Sequence, residues 1–154
     1  MNLHLSSWLR SLTVICALGL GAAHAAEPLP SSGGIFKAVE GEVFVVHGNS
    51  RTQPVVGQAI AESDRIETGS KSGAALTLSD GTVITVGANS SVSLTALRYE
   101  PVNQTGNLAV QIVQGTLRMI TGALGKSQPD NVKVTTPTAV IGVRGTDFIV
   151  DVES

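Results

Sequence analysis

Histidine and cysteine are the side chains that most often hold metals or act as bases and nucleophiles, and this sequence has few of them. It contains three His and one Cys, and setting aside residues 1–25, for the reason given below, leaves His47 alone. Zinc and copper sites need clustered His and Cys ligands, so no metal site and no cofactor is expected. A Ser-His-Asp arrangement would have to join His47 to distant partners, and the sequence lacks a strand–turn–helix nucleophile elbow. We therefore expect no enzymatic activity and no small-molecule substrate.

Two carboxylates, Glu40 and Glu42, stand two residues apart and share one face of a predicted strand. Such a pair resembles those of glycosidases and of weak calcium sites, but it is far more typical of a solvated strand face. The segment Ser31-Ser-Gly-Gly34 lacks the lysine and the helix of a phosphate-binding loop. The number and spacing of the His, Cys and acidic residues therefore argue against catalysis.

Residues 1–25 have the features of a secretory signal peptide. A short apolar run follows Arg10, and Ala23-His24-Ala25 is a small-residue cleavage site. The apolar run is too short to span a membrane. A lipoprotein signal that uses Cys16 is the alternative, but the residue before this cysteine is large. We predict cleavage after Ala25, a flexible leader rich in Pro, Ser and Gly over residues 26–34, and a periplasmic or secreted protein.

Charge and composition narrow the partners that this chain could bind. Removing residues 1–25 takes away Arg10 and no acid, which leaves 9 Lys plus Arg against 12 Asp plus Glu, a net charge of −3. A mildly acidic chain has no electrostatic footprint for nucleic acid. No later segment is a run of about 20 apolar residues, so no membrane span is expected. The remaining 129 residues are the size of one domain.

Period-two alternation of apolar residues dominates from Ile35 onward and predicts an all-β domain over residues 35–154. The apolar segments are short, rich in β-branched residues and broken by turn residues, so about nine or ten strands are expected. A Gly-Thr pair that opens an apolar segment recurs at Gly81, Gly115 and Gly145, at spacings of 34 and 30 residues. This recurrence predicts a β-solenoid-like or β-helix-like stack of short strands. A compact β-sandwich is the alternative.

Three connections between the predicted strands have recognisable turn or loop chemistry. Asp80-Gly81, between two apolar segments, predicts a tight hairpin turn, since glycine accepts the positive φ that such turns need. Residues 98–107 and 121–131 are rich in Pro, Gly, Asn and Gln and are predicted loops. Loops on a rigid scaffold often bind partners, but either of these is more simply a plain connection.

Several segments, in the same order along the chain, resemble the motifs of one known family. They are Gly41-Glu-Val-Phe-Val-Val46, Val56-Gly57-Gln58, Asp64-Arg-Ile-Glu-Thr-Gly69, Gly73-Ala-Ala-Leu-Thr-Leu-Ser-Asp-Gly-Thr82, Val113-Gln-Gly-Thr-Leu-Arg118, Thr136-Pro-Thr-Ala-Val140 and Val143-Arg-Gly-Thr-Asp-Phe148. The chain thereby resembles the FecR-like domains, which are extracytoplasmic all-β modules in bacterial regulators of iron uptake and in stand-alone secreted proteins. The resemblance implies a module that senses or contacts another protein and names no reaction. The membrane-bound regulators also carry a sigma-factor-binding segment and a transmembrane helix; neither is recognised here, so that signalling role is not expected.

The resemblance singles out residues with a structural or partner-contacting role. They are Asp80, Gly81, Gly115, Thr136, Pro137, Arg144, Gly145, Thr146 and Phe148. Asp80 is expected to close its hairpin. Arg144 is expected to pair with an acid or with turn carbonyls, with contact to a partner as the alternative. Pro137 lacks an N–H and is expected at a sheet edge or strand start, while Phe148 alternates in phase with Val150 and Val152 and is expected to face inward.

These observations together predict a non-enzymatic protein that binds another protein of the cell envelope, either in sensing or as an accessory to a larger assembly. The last strand, from Phe148 onward, is the expected contact, because a terminal strand often leaves one edge unpaired. The alternative is a secreted structural or surface component, such as an adhesin or a matrix subunit.

Overall fold

The protein is described by a computed structural model that covers residues 33–144 and 147–153. The predicted signal peptide and residues 26–32 lie outside the described residues, as do Gly145, Thr146 and Ser154. The strands are β1 (Gly34–Glu40), β2 (Val43–His47), β3 (Ser50–Thr52), β4 (Ala59–Ile60), β5 (Arg65–Thr68), β6 (Gly73–Leu78), β7 (Val83–Val86), β8 (Ser91–Glu100), β9 (Thr105–Ile120), β10 (Val132–Thr135), β11 (Val140–Gly142) and β12 (Asp147–Val152). A short helix, α1 (Ala123–Ser127), and a 3-10 turn (Pro129–Asn131) separate β9 from β10.

These strands form one curled sheet around the long strand β9. The main path runs β3-β2-β5-β8-β9-β7-β6-β1-β4, while β10 and β12 pair with β9, and β11 pairs with β10. The first part of β9 lies between β8 and β10, and the part that begins at Gly115 lies between β7 and β12. Gly115 has a φ of 83°, a conformation that glycine adopts without strain. It therefore marks the point where β9 passes from one half of the sheet to the other.

The all-β prediction is confirmed, but the solenoid stacking is not. Ten of the eleven pairings between the described strands are antiparallel, and only β9 with β10 is parallel. The alternative, a compact β-sandwich, would consist of two separate packed sheets, whereas the described strands form one continuous curled sheet. The recurring glycines also differ in place: Gly81 lies in a hairpin turn, Gly115 lies inside β9, and Gly145 is outside the described residues.

Alternating residues of the strands fill the interior with aliphatic side chains. In β6 every second residue is buried, which is the pattern that period two predicts for a strand with one covered face. Phe36 is the only aromatic residue of the buried core among the described residues. The rest of that core consists of Val43, Val45, Ile60, Ile66, Ala74, Leu76, Leu78, Ile84, Val86, Val92, Leu94, Leu108, Val110, Ile112, Leu117, Met119, Leu124, Val132, Val134, Val143 and Val150.

The two segments predicted as loops are more ordered than the sequence indicated. Residues 98–107 form the end of a long β8–β9 hairpin, in which Arg98 pairs with Asn107 and Glu100 with Thr105. The prediction was wrong because Pro101 occupies the turn, where its missing N–H removes no ladder bond. The second segment, 121–131, contains α1 and the 3-10 turn. Among the described residues, no helix is long and apolar enough to cross a bilayer.

Candidate functional site

Strand β12 lies at an edge of the sheet. It pairs in antiparallel fashion with the second part of β9, and with no other described strand. The direction of its backbone groups follows from the register. The Gly87 N–H donates to the Thr116 carbonyl at 2.9 Å, so Thr116 turns its carbonyl toward the β7 side of β9. Asp151 stands opposite Thr116, and Ile149 stands two residues before it. Two residues that stand opposite each other in an antiparallel ladder direct their N–H and C=O groups either both toward each other or both away, so those of Asp151 point to the open edge. The direction alternates along a strand, so Ile149, two residues earlier, directs its groups to the same edge.

The two faces of β12 differ in character. Phe148, Val150 and Val152 pack against the core, with Val150 buried and the other two half-buried. Phe148 therefore faces inward, in phase with its two neighbours. The opposite face carries Ile149, which is 65% exposed, between the exposed residues Asp147 and Asp151. An isolated exposed Ile is ordinary, but this one lies on a strand whose edge is also open.

Hydrogen bonds tie the acidic side chains of this outer face to β9. The Arg118 guanidinium donates to both carboxylate oxygens of Asp147, at 3.0 and 2.6 Å. These hydrogen bonds, with the charge of Arg118, hold the pKa of Asp147 below its usual value, and they raise the pKa of Arg118. The Thr116 hydroxyl donates to Asp151 at 3.2 Å. Both contacts are exposed to solvent, so they orient the strand more than they stabilise the fold.

An apolar cavity opens beside the inner face of β12. Its volume is about 340 Å³, and its apolar lining consists of Ile141, Val143, Phe148, Ile149 and Val150. Ile141 belongs to β11, which pairs only with β10 among the described strands. The cavity thus lies between two strands that each have one edge unpaired by any other described strand. It gives access to the core from the side of the sheet that no described strand covers.

The hairpin that carries β11 is built on the segment Thr136-Pro-Thr-Ala139. The Thr136 N–H donates to the Ala139 carbonyl at 2.8 Å, and the Ala139 N–H donates to the Thr136 hydroxyl oxygen at 3.0 Å. Pro137 therefore lies in the turn between β10 and β11 and not at a strand start. Its missing N–H is harmless there, because no ladder bond is required of that position. The turn brings Val140, which is 69% exposed, to the open edge of β11.

Asp80 closes the β6–β7 hairpin, as expected, and it also holds α1. Its side chain accepts from the Thr82 N–H at 2.9 Å and from the Thr82 hydroxyl at 2.7 Å. It lies 3.4 Å from the Leu124 N–H, and its carbonyl accepts from the Ala123 N–H at 2.8 Å. Gly81, with a φ of 83°, completes the turn. The carboxylate therefore satisfies donors at the start of a helix that begins more than forty residues later.

Arg144 was expected to pair with an acid or with turn carbonyls, and among the described residues it forms no ion pair. It is exposed at the end of β11, beside the apolar cavity, and no described acid lies within ion-pair distance of it. Gly145 and Thr146, which follow Arg144 in the same motif, lie outside the described residues.

One polar pair was missed by the sequence reasoning. His47 Nδ1 lies 2.6 Å from Asp64 Oδ1, and the other carboxylate oxygen accepts from the Ala61 N–H at 2.9 Å. A buried carboxylate that orients an imidazole is part of a catalytic triad, and Ser50 borders the same cavity of about 270 Å³. No hydrogen bond joins the Ser50 hydroxyl to His47 in the part of the chain that the structure describes. Only the Asp64-x-Ile-x-Thr-Gly segment signalled this position, and it indicated no partner for the aspartate.

Comparison with known proteins places this arrangement in a family. No curated protein and no solved structure matches the chain. A family model described as FecR protein matches residues 64–154, which is more than half of the chain. The matched region begins at the Asp64 turn and includes every strand from β5 to β12, the open edge among them. The chain therefore belongs to the FecR protein family.

Proposed function

We propose that this protein is a non-enzymatic interaction module of the bacterial cell envelope, with a sensing or regulatory role. It is exported by the signal peptide, cleaved after Ala25, and acts in the periplasm or outside the cell. The single observation that carries the proposal is the open edge of β12, beside the apolar cavity. Membership of the FecR family supports a regulatory rather than a catalytic role.

The proposed mode of binding is the addition of a partner strand to β12. The outward N–H and C=O groups of Ile149 and Asp151 supply backbone hydrogen bonds, which give affinity without regard to sequence. The apolar cavity then supplies selectivity, because inward side chains of the added strand reach its walls at Phe148 and Val150. The acidic residues on β12 also serve a second purpose, since charges on an edge strand limit aggregation.

Ile149→Pro tests strand addition directly. Proline removes the outward N–H of residue 149 and keeps the ladder bonds between β12 and β9, because those come from the alternate residues. Ile149→Thr is the matched control, since it removes the exposed aliphatic side chain and keeps the N–H. Partners recovered from the organism's own envelope extract should be lost with proline and retained with threonine. Loss with both variants, or with neither, in folded protein would contradict the proposal.

A secreted structural or surface subunit is the second candidate. It is favoured by the open edges at the two ends of the sheet path, where β3 pairs only with β2 and β4 only with β1 among the described strands. A subunit with open edges at two places is able to assemble in a head-to-tail manner. Sedimentation of the purified protein distinguishes the two candidates. Concentration-dependent growth beyond a dimer would favour the structural subunit, and a constant small species would favour the interaction module.

Export has its own measurement. The intact mass of protein taken from the envelope should correspond to a chain that begins at Ala26, since the apolar run before Ala25 is too short to anchor the protein. A lipid-modified chain that begins at Cys16 would overturn this part of the proposal.

A further inference from the structure

The open edge of β12 also has a charge pattern that identifies the kind of strand it fits. We infer, on the basis of the proposed strand addition, that the partner is an extended segment of a different protein. Every second residue of this segment is Lys or Arg and faces solvent, and the residues between them are aliphatic and face the other side. The inference uses the outer face of β12, the register of its backbone groups and the cavity beside its inner face.

The outer face carries acids at alternate positions, namely Asp147 and Asp151, and Glu153 follows in the same phase. Arg118 already neutralises Asp147 through two hydrogen bonds. Among the described residues, the Asp151 carboxylate accepts a hydrogen bond only from the neutral Thr116 hydroxyl, and Glu153 makes no ion pair. The negative charge that remains unpaired therefore lies at the C-terminal end of β12. Cross-strand neighbours on one face lie about 5 Å apart, where opposite charges attract and like charges repel.

The same charges argue against a second copy of this chain as the occupant. In an antiparallel pairing between two outer edges, outward-directed residues stand opposite each other, and on β12 these are the odd-numbered residues. A self-pairing centred on Ile149 places Asp147 opposite Asp151 of the second copy, twice. A shift of one residue in its centre, to Val150, places Asp147 opposite Glu153, again twice. In both registers that overlap most of the strand, Asp151 or Glu153 thus lies opposite Asp147, whose charge Arg118 already balances, and gains no cationic partner of the kind that a basic strand supplies.

The inner face sets the requirement for aliphatic residues. Side chains of an added strand alternate between the faces of the sheet, so those between the basic positions point toward the core side. There they meet the cavity of about 340 Å³ with its walls of Ile141, Val143, Phe148 and Val150. Arg144 borders the same cavity and disfavours a basic side chain at these inward positions. The strand that fits is therefore basic on one side only.

Three synthetic peptides of eight residues test the inference with the purified protein. The first alternates Lys with Val, the second replaces every Lys with Glu, and the third has the composition of the first but its lysines in one block. Binding is followed through the backbone amide signals of Ile149 and Asp151 in nuclear magnetic resonance titrations. The alternating lysine peptide should bind about tenfold or more tightly than either of the others, as two or more cross-strand charge pairs change sign.

Two pairs of substitutions assign the effect to β12. Replacing Asp151→Asn together with Glu153→Gln should bring the affinities of the lysine and glutamate peptides to within about threefold of each other. The matched control replaces Glu40→Gln together with Glu42→Gln, two exposed acids near the end of β1, and should leave the preference unchanged. Added salt should weaken binding of the lysine peptide to the unsubstituted protein, because these charges are exposed.

The possible failures separate this inference from the proposed function. Equal binding of the lysine and glutamate peptides, with both abolished by Ile149→Pro, overturns the charge inference and leaves strand addition intact. No change at the Ile149 and Asp151 amides with any peptide also overturns it, and the envelope pull-down then decides strand addition independently. A concentration-dependent dimer that shifts these two amides overturns it in favour of a second copy.

Discussion

Replacing Asp80 with alanine should destabilise the protein far more than its place in a short turn suggests. The residue is 7% exposed, and the Thr82 that donates two hydrogen bonds to its carboxylate is fully buried. Alanine leaves the Thr82 N–H and hydroxyl without this acceptor. A hydrogen bond to a charged group contributes about 1.5–3 kcal/mol, and a stranded buried donor costs a similar amount. We expect a loss of about 3–5 kcal/mol in the free energy of unfolding, counting the long contact to Leu124 as small.

Urea unfolding followed by circular dichroism measures this loss, because the midpoint falls with stability when the slope is unchanged. Asp80→Asn should cost less than alanine, about 1–2 kcal/mol, because one side-chain oxygen remains as an acceptor. A cost remains because the new amide N–H₂ group faces a donor where the second carboxylate oxygen stood. Asp130→Ala is the matched control, an exposed aspartate in the 3-10 turn that follows α1, and should change stability by less than about 0.5 kcal/mol.

A local readout separates the loss of the anchor from general weakening. The Leu124 and Gly122 amides lie next to the Asp80 turn, so Asp80→Ala should accelerate their hydrogen exchange more than that of amides in β8. A loss below about 1 kcal/mol, with unchanged exchange at these two amides, would refute the reasoning. In that case the turn and α1 would be held by backbone hydrogen bonds alone.

The remaining predictions concern a pair of glycines, one aromatic residue and one ion pair. Gly81→Ala should cost about 1–2 kcal/mol for its φ of 83° alone, because open space surrounds the new Cβ. Gly115→Ala has the same φ of 83°, but its Cβ would lie 2.6 Å from a neighbouring backbone atom, so its cost in urea unfolding should exceed that of Gly81→Ala by at least about 1 kcal/mol; equal costs would contradict the crowding. Phe148→Ala should cost about 2–3 kcal/mol, less than a fully buried Phe, and a change below about 1 kcal/mol would mean that the ring does not pack inward. Arg118→Gln should raise the pKa of Asp147 toward its usual value, as measured in a nuclear magnetic resonance titration. The stabilisation from this ion pair is present above the pKa that Asp147 has in the unfolded chain, and it is lost as the pH falls through the lower pKa of the folded protein. The variant should therefore lose less stability on acidification than the unsubstituted protein.

Local patterns in the sequence were sufficient for the strand class and for several turns. Period-two alternation depends only on neighbours along the chain, which explains why it predicted the all-β class and the inward phase of Phe148. The Asp80-Gly81 hairpin was equally local, since positive φ is a property of one residue. The prediction of a loop over residues 98–107 was wrong. The turn-forming residues do not end the strand pairing there, because the turn occupies only four positions and the strands are paired on both sides of it.

Long-range pairing was beyond the reach of these patterns, because alternation says which residues face inward and not which strand lies beside which. The recurring glycines suggested stacked units, yet Gly81 lies in a hairpin turn while Gly115 bends β9 within the sheet. The contact of Asp80 with the start of α1 and that of His47 with Asp64 join residues far apart in the chain, so only the folded sheet brings them together.

The candidate site divides in the same way. The sequence by itself determined that the last strand has an apolar face and an acidic face, because both follow from alternation between Asp147 and Val152. Only the tertiary structure decided that β12 has one neighbour among the described strands, that the backbone groups of Ile149 point away from that neighbour, and that a cavity lies against Phe148. The physical reason is that an edge is a property of the whole sheet. One side of a strand stays unpaired when every other strand is already paired elsewhere, and this depends on all the pairings together.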